Sequence, residues 1–273
     1  MNDPAAAVDF TEAGAGPSVL FVPGSYSTAA AWRPIQRAME PRWRMAGTSI
    51  LGYGGSAETR TRTDFDMQHE VALVAKAAQR MQGPIHLVGH SFGGTVALAA
   101  ALAGRFEVAS LSLFEANPLA IVREAGLGEI FDATLRMSRA FEAAADAGEA
   151  DAPSRIIDFW GKAGDFDAMP EAVRTYCRQT AQTNVIDWRT ALAWQPPLAQ
   201  LRDLRIPILL VRGAQANPAM IAVTETLHSC WPHAQTEVVD DAGHFLVTTH
   251  AAQCAQLLSS FLKDSQDAGS SPA

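Results

Sequence analysis

Basic residues are the scarce class in this chain. Lys and Arg number 21 against 29 Asp and Glu, a formal charge of −8 over 273 residues. Phosphate backbones are held by clustered cations, so this balance argues against a nucleic-acid partner and leaves no basic face for anionic lipid. Cysteine is almost missing too. Cys177, Cys230 and Cys254 are widely spaced and odd in number, which fits neither a disulfide framework nor a zinc pattern. Long hydrophobic runs are lacking: the longest, Thr95–Ala103, falls far short of the about 20 residues that span a bilayer. The first residues, MNDPAAAVDF, hold two acids, no base and no apolar core, so they do not read as a secretory signal. These absences set the expectation of a cytoplasmic protein without a membrane partner.

Apolar residues are plentiful, at 48%, enough for a sizeable core. Short apolar runs bounded by Gly, Pro, Asn or polar residues predict buried strands at Ser18–Val22, Ile85–Val88, Ala109–Phe114 and Ile208–Val211. Weaker candidates are Trp43–Ile50 and Thr236–Val239. Between them, Met67, Val71, Val74, Ala78 and Met81 repeat at helical spacing, with Gly83-Pro84 as a stop signal. Cys254, Leu257, Leu258, Phe261 and Leu262 form a second amphipathic face. Strands alternating with helices predict an α/β fold, a mainly parallel twisted sheet with helices on both faces.

One stretch breaks that rhythm. Residues 119–195 carry helical patterns and no convincing strand, cut by Pro153, Pro170 and glycine turns. The expected organisation is a core formed by 1–118 and 196–263, a helical cap or lid at 119–195, and a disordered polar tail at 264–273. Extra scaffold helices packed elsewhere are the alternative for the insertion.

The strongest local signal is Gly89-His90-Ser91-Phe92-Gly93, set between an apolar strand and an Ala-rich helix. Gly-x-Ser-x-Gly alone is a weak pattern, and a Gly-rich turn with an ordinary serine would produce it. Its flanks are those of a nucleophile elbow, a sharp turn that lifts a serine hydroxyl above the sheet. It aims Ser91 Oγ at the positive end of the following helix and frees the Phe92 N–H for a developing oxyanion. A serine hydroxyl needs a base to take its proton. Of seven histidines, His244 is the best placed, in Asp241-Ala242-Gly243-His244-Phe245 between the last strand and the last helix.

With these motifs, the chain resembles the α/β-hydrolase family from Phe10 to Phe261. Phe21-Val22-Pro23-Gly24-Ser25 is similar to the family's oxyanion loop, which usually has His-Gly where Pro23-Gly24 stands. The resemblance implies that Ser91 is the nucleophile, His244 the base, and the N–H groups of Phe92 and Ser25 (or Tyr26) the oxyanion donors. The acid is the departure. Most of the family carries it after the strand matching Ile208–Val211, but here that loop reads Gly213-Ala214-Gln215-Ala216-Asn217, without a carboxylate. Some members take it from the strand after the nucleophile helix. There this chain has Glu115, so the resemblance implies the order Ser91, Glu115, His244. Asn217, Asp240 and Asp241 remain weaker alternatives.

A serine at the elbow implies acyl chemistry with no metal and no organic cofactor. The expected reaction is hydrolysis of a small, largely apolar ester of the carboxylesterase type. Acyl transfer, carbon–carbon bond hydrolysis and cofactor-free perhydrolysis are open on the same residues, and a non-catalytic small-molecule binder is the competing class. Tyr26 and Trp160 are candidate substrate contacts. Arg155, Arg174, Arg178 and Arg189 are candidate carboxylate contacts that solvated helix faces explain equally well.

Overall fold

The computed structural model describes residues 7–269. Residues 1–6, most of the segment examined for a leader, and 270–273, the end of the expected tail, lie outside the described residues. The first half of the chain gives β1 (Phe10–Ala13), β2 (Ser18–Val22), α1 (Arg33–Ala38), β3 (Arg44–Thr48), α2 (Gln68–Ala78), β4 (Ile85–His90), α3 (Ser91–Ala103) and β5 (Val108–Phe114). Six helices follow without a strand: α4 (Ala120–Glu124), α5 (Gly128–Asp146), α6 (Ser154–Trp160), α7 (Asp165–Ala168), α8 (Glu171–Gln179) and α9 (Ala181–Ala193). The chain then returns through α10 (Leu198–Arg202), β6 (Ile208–Gly213), α11 (Pro218–Cys230), β7 (Gln235–Val239), α12 (Leu246–Thr249) and α13 (Ala251–Gly269).

The strands form one sheet in the order β1-β3-β2-β4-β5-β6-β7. Only β1 runs antiparallel to its neighbour, and every other pairing is parallel. This is the expected α/β fold, and the reason is visible along β2. All five of its residues are buried, with Leu20 and Val22 in the core of one face and Val19 and Phe21 in the core of the other. A strand covered on both sides needs apolar residues at every position, so its sequence loses the alternation of a half-exposed strand. On one face α2, α3 and α11 pack; on the other, α1 and α13 supply Ile35, Leu258 and Leu262.

Strand ends shift by one or two residues from the sequence expectation, and three larger differences have a physical reason. β1 was not anticipated, because Phe-Thr-Glu-Ala is an edge strand with three exposed residues and no apolar run. α2 ends at Ala78 rather than at Gly83-Pro84, since the N–H groups of Arg80 and Met81 turn back to Ala77 and Ala78 in a tighter turn. α13 continues to Gly269, so residues 264–269 are helical rather than disordered. Ser265 Oγ donates to the Phe261 carbonyl and Arg42 donates to Gln266 Oε1, tying that end to the body. Among the described residues, no helix is long and apolar enough to cross a membrane.

Candidate active site

The Gly89–Gly93 turn follows β4 directly and opens α3. Ser91 has φ +54°, a left-handed conformation that costs a non-glycine residue about 1–3 kcal/mol and persists only when the surroundings enforce it. They do so by close packing. A Cβ on Gly93 would lie 2.0 Å from the Pro23 carbonyl oxygen, and one on Gly89 would lie 2.6 Å from Gly94 Cα. A Cβ on Gly24 would lie 2.9 Å from the Ser91 Cβ, so the loop after β2 rests against the Ser91 turn. No side chain caps α3, which leaves the N–H groups of its first turn without an intrahelical partner. Gly24, Ser25, Tyr26, Ser91 and Phe92 line one cavity there.

His244, on the loop between β7 and α12, brings Nε2 to 3.0 Å from Ser91 Oγ. Its Nδ1 lies 2.7 Å from Glu115 Oε2. Glu115 follows β5, its side chain is fully enclosed, and its second oxygen accepts from the Gly213 N–H at 2.8 Å. Its backbone is also left-handed, at φ +43°. The three residues expected from sequence therefore meet in one hydrogen-bonded line, across 153 and 129 positions of chain. The alternative acids stand elsewhere. Asp240 and Asp241 are exposed, and Asn217 caps α11 by accepting from the Ala219 N–H while donating to the Phe159 carbonyl.

His90 supports His244, with the two ring centroids 5.0 Å apart. Its Nε2–H donates to the His244 carbonyl at 2.8 Å, and burial together with the nearby His244 ring pushes its pKa down to about 3. Trp160, a candidate substrate contact from the sequence, lines the cavity. Its ring lies 5.5 Å from that of His244 and stacks on Trp188 at 5.9 Å, nearly parallel. The cavity has a volume of about 210 Å³, and α6 and α9 of the helical insertion enclose it with Ile156, Ile157, Trp160, Trp188 and Ala191. The four arginines considered as carboxylate contacts do not line it. Arg155 pairs with Glu149, Arg174 with Glu171, Arg178 with Asp151 and Glu171, and Arg189 with Glu142.

One part of the site escaped the sequence reading. Asp187, on α9 and 2% exposed, accepts from Ser25 Oγ at 2.6 Å, Tyr53 Oη at 2.7 Å and Arg60 Nη2 at 2.8 Å. Arg60 also meets the fully buried Glu70 at 3.1 Å and Glu58 at 2.8 Å. Burial pushes the Asp187 carboxyl upward, opposed by Arg60 and by the hydroxyls of Ser25 and Tyr53. The network ties the helical insertion to the loop carrying Ser25. A signal did exist: Asn184, Val185, Trp188 and Ala191 mark the inward face of α9, and Asp187 is an acid on that same face. Among the described residues, no three His, Cys, Asp or Glu side chains gather as a metal-binding group.

Comparison with known proteins identifies the family and the fold. A model of the alpha/beta hydrolase family matches residues 19–257. The chain is 29% identical over 244 residues to the dihydrolipoyllysine-residue acetyltransferase component of the acetoin cleaving system of Pseudomonas putida, covering 85% of this chain and 60% of that protein. It is 26% identical over 275 residues to polyketide synthase ThaQ of Burkholderia thailandensis, covering 95% of this chain and 12% of that protein. The chain thus spans less than two thirds of either relative. It is 24% identical over 255 residues to a pimeloyl-[acyl-carrier protein] methyl ester esterase of Methylococcus capsulatus, covering 92% and 97%. An esterase structure from Thermogutta terrifontis has the same fold, with TM-score 0.73, 21% identity, and 94% and 93% coverage. The strand order, the Ser91 turn and the match across residues 19–257 lead to one conclusion: the chain belongs to the alpha/beta hydrolase family.

Proposed function

We propose that the protein is a carboxylesterase-type serine hydrolase acting on a small, largely apolar ester through an acyl-Ser91 intermediate. The observation that carries this reading is the line Ser91 Oγ–His244 Nε2 at 3.0 Å and His244 Nδ1–Glu115 Oε2 at 2.7 Å, open to an apolar cavity. In the proposed first step, Ser91 Oγ attacks the ester carbonyl carbon while its proton passes to His244 Nε2. The carbonyl oxygen becomes an oxyanion and accepts from the Phe92 and Ser25 N–H groups. When the intermediate collapses, the C–O bond to the alcohol breaks and His244 returns the proton to the leaving oxygen. Water then attacks acyl-Ser91 while giving a proton to His244; on collapse the bond from the acyl carbon to Ser91 Oγ breaks, His244 returns the proton to Oγ, and the acid leaves. Throughout, Glu115 accepts from Nδ1–H and holds the tautomer whose Nε2 is free to take a proton.

In this reading α4–α9 act as a cap, Trp160 forms the wall beside His244, and no metal or cofactor takes part. The Asp187 hydrogen bond to Ser25 Oγ holds the oxyanion loop in place. The test is turnover of p-nitrophenyl acetate and butyrate together with fluorophosphonate labelling. An initial burst, steady turnover, and labelling that disappears in Ser91→Ala are expected. Absence of turnover and of labelling at Ser91 would refute the reading.

A further inference from the structure

We propose that the substrate carries, in the part enclosed by α6 and α9, a hydroxyl or N–H group that pairs with Asn184 Oδ1 and the Tyr26 hydroxyl. The proposal rests on the hydrolase reading above and narrows its substrate from a purely apolar ester to one with a single neutral polar group. Three residues lining the Ser91 cavity carry a buried side-chain atom without a hydrogen-bond partner: Trp32 Nε1, Tyr26 Oη and Asn184 Oδ1. Trp32 packs against Phe21 and Phe114 in the core on the other face of the sheet, and the proposal concerns the other two. Folded proteins pair nearly all buried polar atoms, so each exception asks for a cause. Neither atom bonds to another element, so neither is explained by holding the fold.

The orientation of Asn184 follows from its neighbour. Its Nδ2 lies 3.4 Å from Asp187 Oδ2, and Asp187 already accepts from Arg60, Ser25 and Tyr53. A carboxylate that accepts on every side requires the amide nitrogen to face it, which directs Oδ1 away. Asn184 is 1% exposed, so bulk water does not pair with that oxygen. Tyr26 follows Ser25 in the oxyanion loop and takes the left-handed conformation, at φ +58°. Burial, with the nearby Cys177 and Asp187, pushes its hydroxyl well above the ordinary tyrosine range, so it stays an O–H that both donates and accepts. Tyr26 and Asn184 both line the cavity beside Asp187, which lines it too.

An acceptor and a hydroxyl set against Ile156, Ile157, Trp160 and Trp188 suit a ligand that is apolar except at one point. A hydroxyl or a secondary amide satisfies both atoms. A carboxylate does not, because it would meet the Asn184 oxygen and the Asp187 carboxylate while Arg155, Arg174, Arg178 and Arg189 pair elsewhere.

The test compares methyl esters from butyrate to octanoate, each with and without a hydroxyl at the α carbon, the β carbon or the chain end. Ethyl and 2-hydroxyethyl esters cover the alcohol side. At least one hydroxylated ester is expected to exceed its plain counterpart by about 10-fold in kcat/KM, since its absence leaves buried polar groups unpaired. Tyr26→Phe and Asn184→Leu should each bring that ratio toward one. Equal turnover of every pair, or a ratio that neither variant moves, overturns the subsite while leaving the hydrolase reading intact. If no ester is turned over, the hydrolase reading fails separately, and the same pairs titrated calorimetrically into Ser91→Ala judge the subsite. Tighter binding of a hydroxylated ester supports it, and equal binding overturns it.

Discussion

Replacing Glu115 by Gln keeps the shape of the side chain and removes one acceptor, which makes it a sensitive probe of the His244 environment. Glu115 uses both oxygens as acceptors, one for the Gly213 N–H at 2.8 Å and one facing His244 Nδ1 at 2.7 Å. A glutamine has one acceptor oxygen and one NH₂. If its oxygen stays with Gly213, the NH₂ faces Nδ1, moves the imidazole proton to Nε2, and leaves no base for Ser91. If its oxygen turns to His244, two N–H donors are forced together at Gly213 in a site sealed from water. Either arrangement also loses the negative charge beside the imidazolium that the proposed attack would form. The expected loss in kcat is about 10²–10⁴-fold, or about 2.7–5.4 kcal/mol of transition-state stabilisation. The assay is steady-state hydrolysis of p-nitrophenyl butyrate by Glu115→Gln, Asn217→Ala and Asp241→Asn, with circular dichroism to verify folding. Asn217→Ala should lose about 1 kcal/mol of stability as a lost helix cap and change kcat little, and Asp241→Asn should do less still. Near wild-type activity in Glu115→Gln, with collapse in either of the others, would refute the assignment.

Asp187→Asn leaves the enclosed Arg60 with one carboxylate fewer, and removing one partner of a buried ion pair costs about 3–5 kcal/mol. Urea unfolding should shift accordingly, and a change under about 1 kcal/mol would show that the network contributes little. His86 and His90 predict a loss of stability toward acid pH. Burial pushes His86 down to about 4 and His90 to about 3, from an ordinary 6.5. Above 6.5 both states are neutral there and stability is unaffected. As pH falls from 6.5 toward 3 to 4, the unfolded chain takes up protons that the folded one refuses. Stability should therefore drop, by on the order of 1 kcal/mol per pH unit for each histidine. Urea midpoints between pH 7 and 5 measure this, and His86→Gln should lessen the slope. A flat profile would contradict the assigned environments.

The sequence alone determined the local conformations that its short-range chemistry dictates. The runs at Ser18–Val22, Ile85–Val88, Ala109–Phe114 and Ile208–Val211 became β2, β4, β5 and β6, because residues buried on both faces must be continuously apolar. The glycines around Ser91 announced the turn, since any Cβ there meets the Pro23 loop or α3. The edge strand β1 left no such mark, because an exposed edge imposes no apolar requirement. Only the tertiary structure decided which distant side chains meet. It set Glu115 against His244 rather than Asn217, Asp240 or Asp241, and brought Asp187 of α9 to Ser25 and Arg60. It also left Tyr26 Oη and Asn184 Oδ1 unpaired in the Ser91 cavity. The physical reason is one of range: backbone conformation follows from neighbours a few residues apart, whereas hydrogen bonds between buried side chains depend on how whole elements pack.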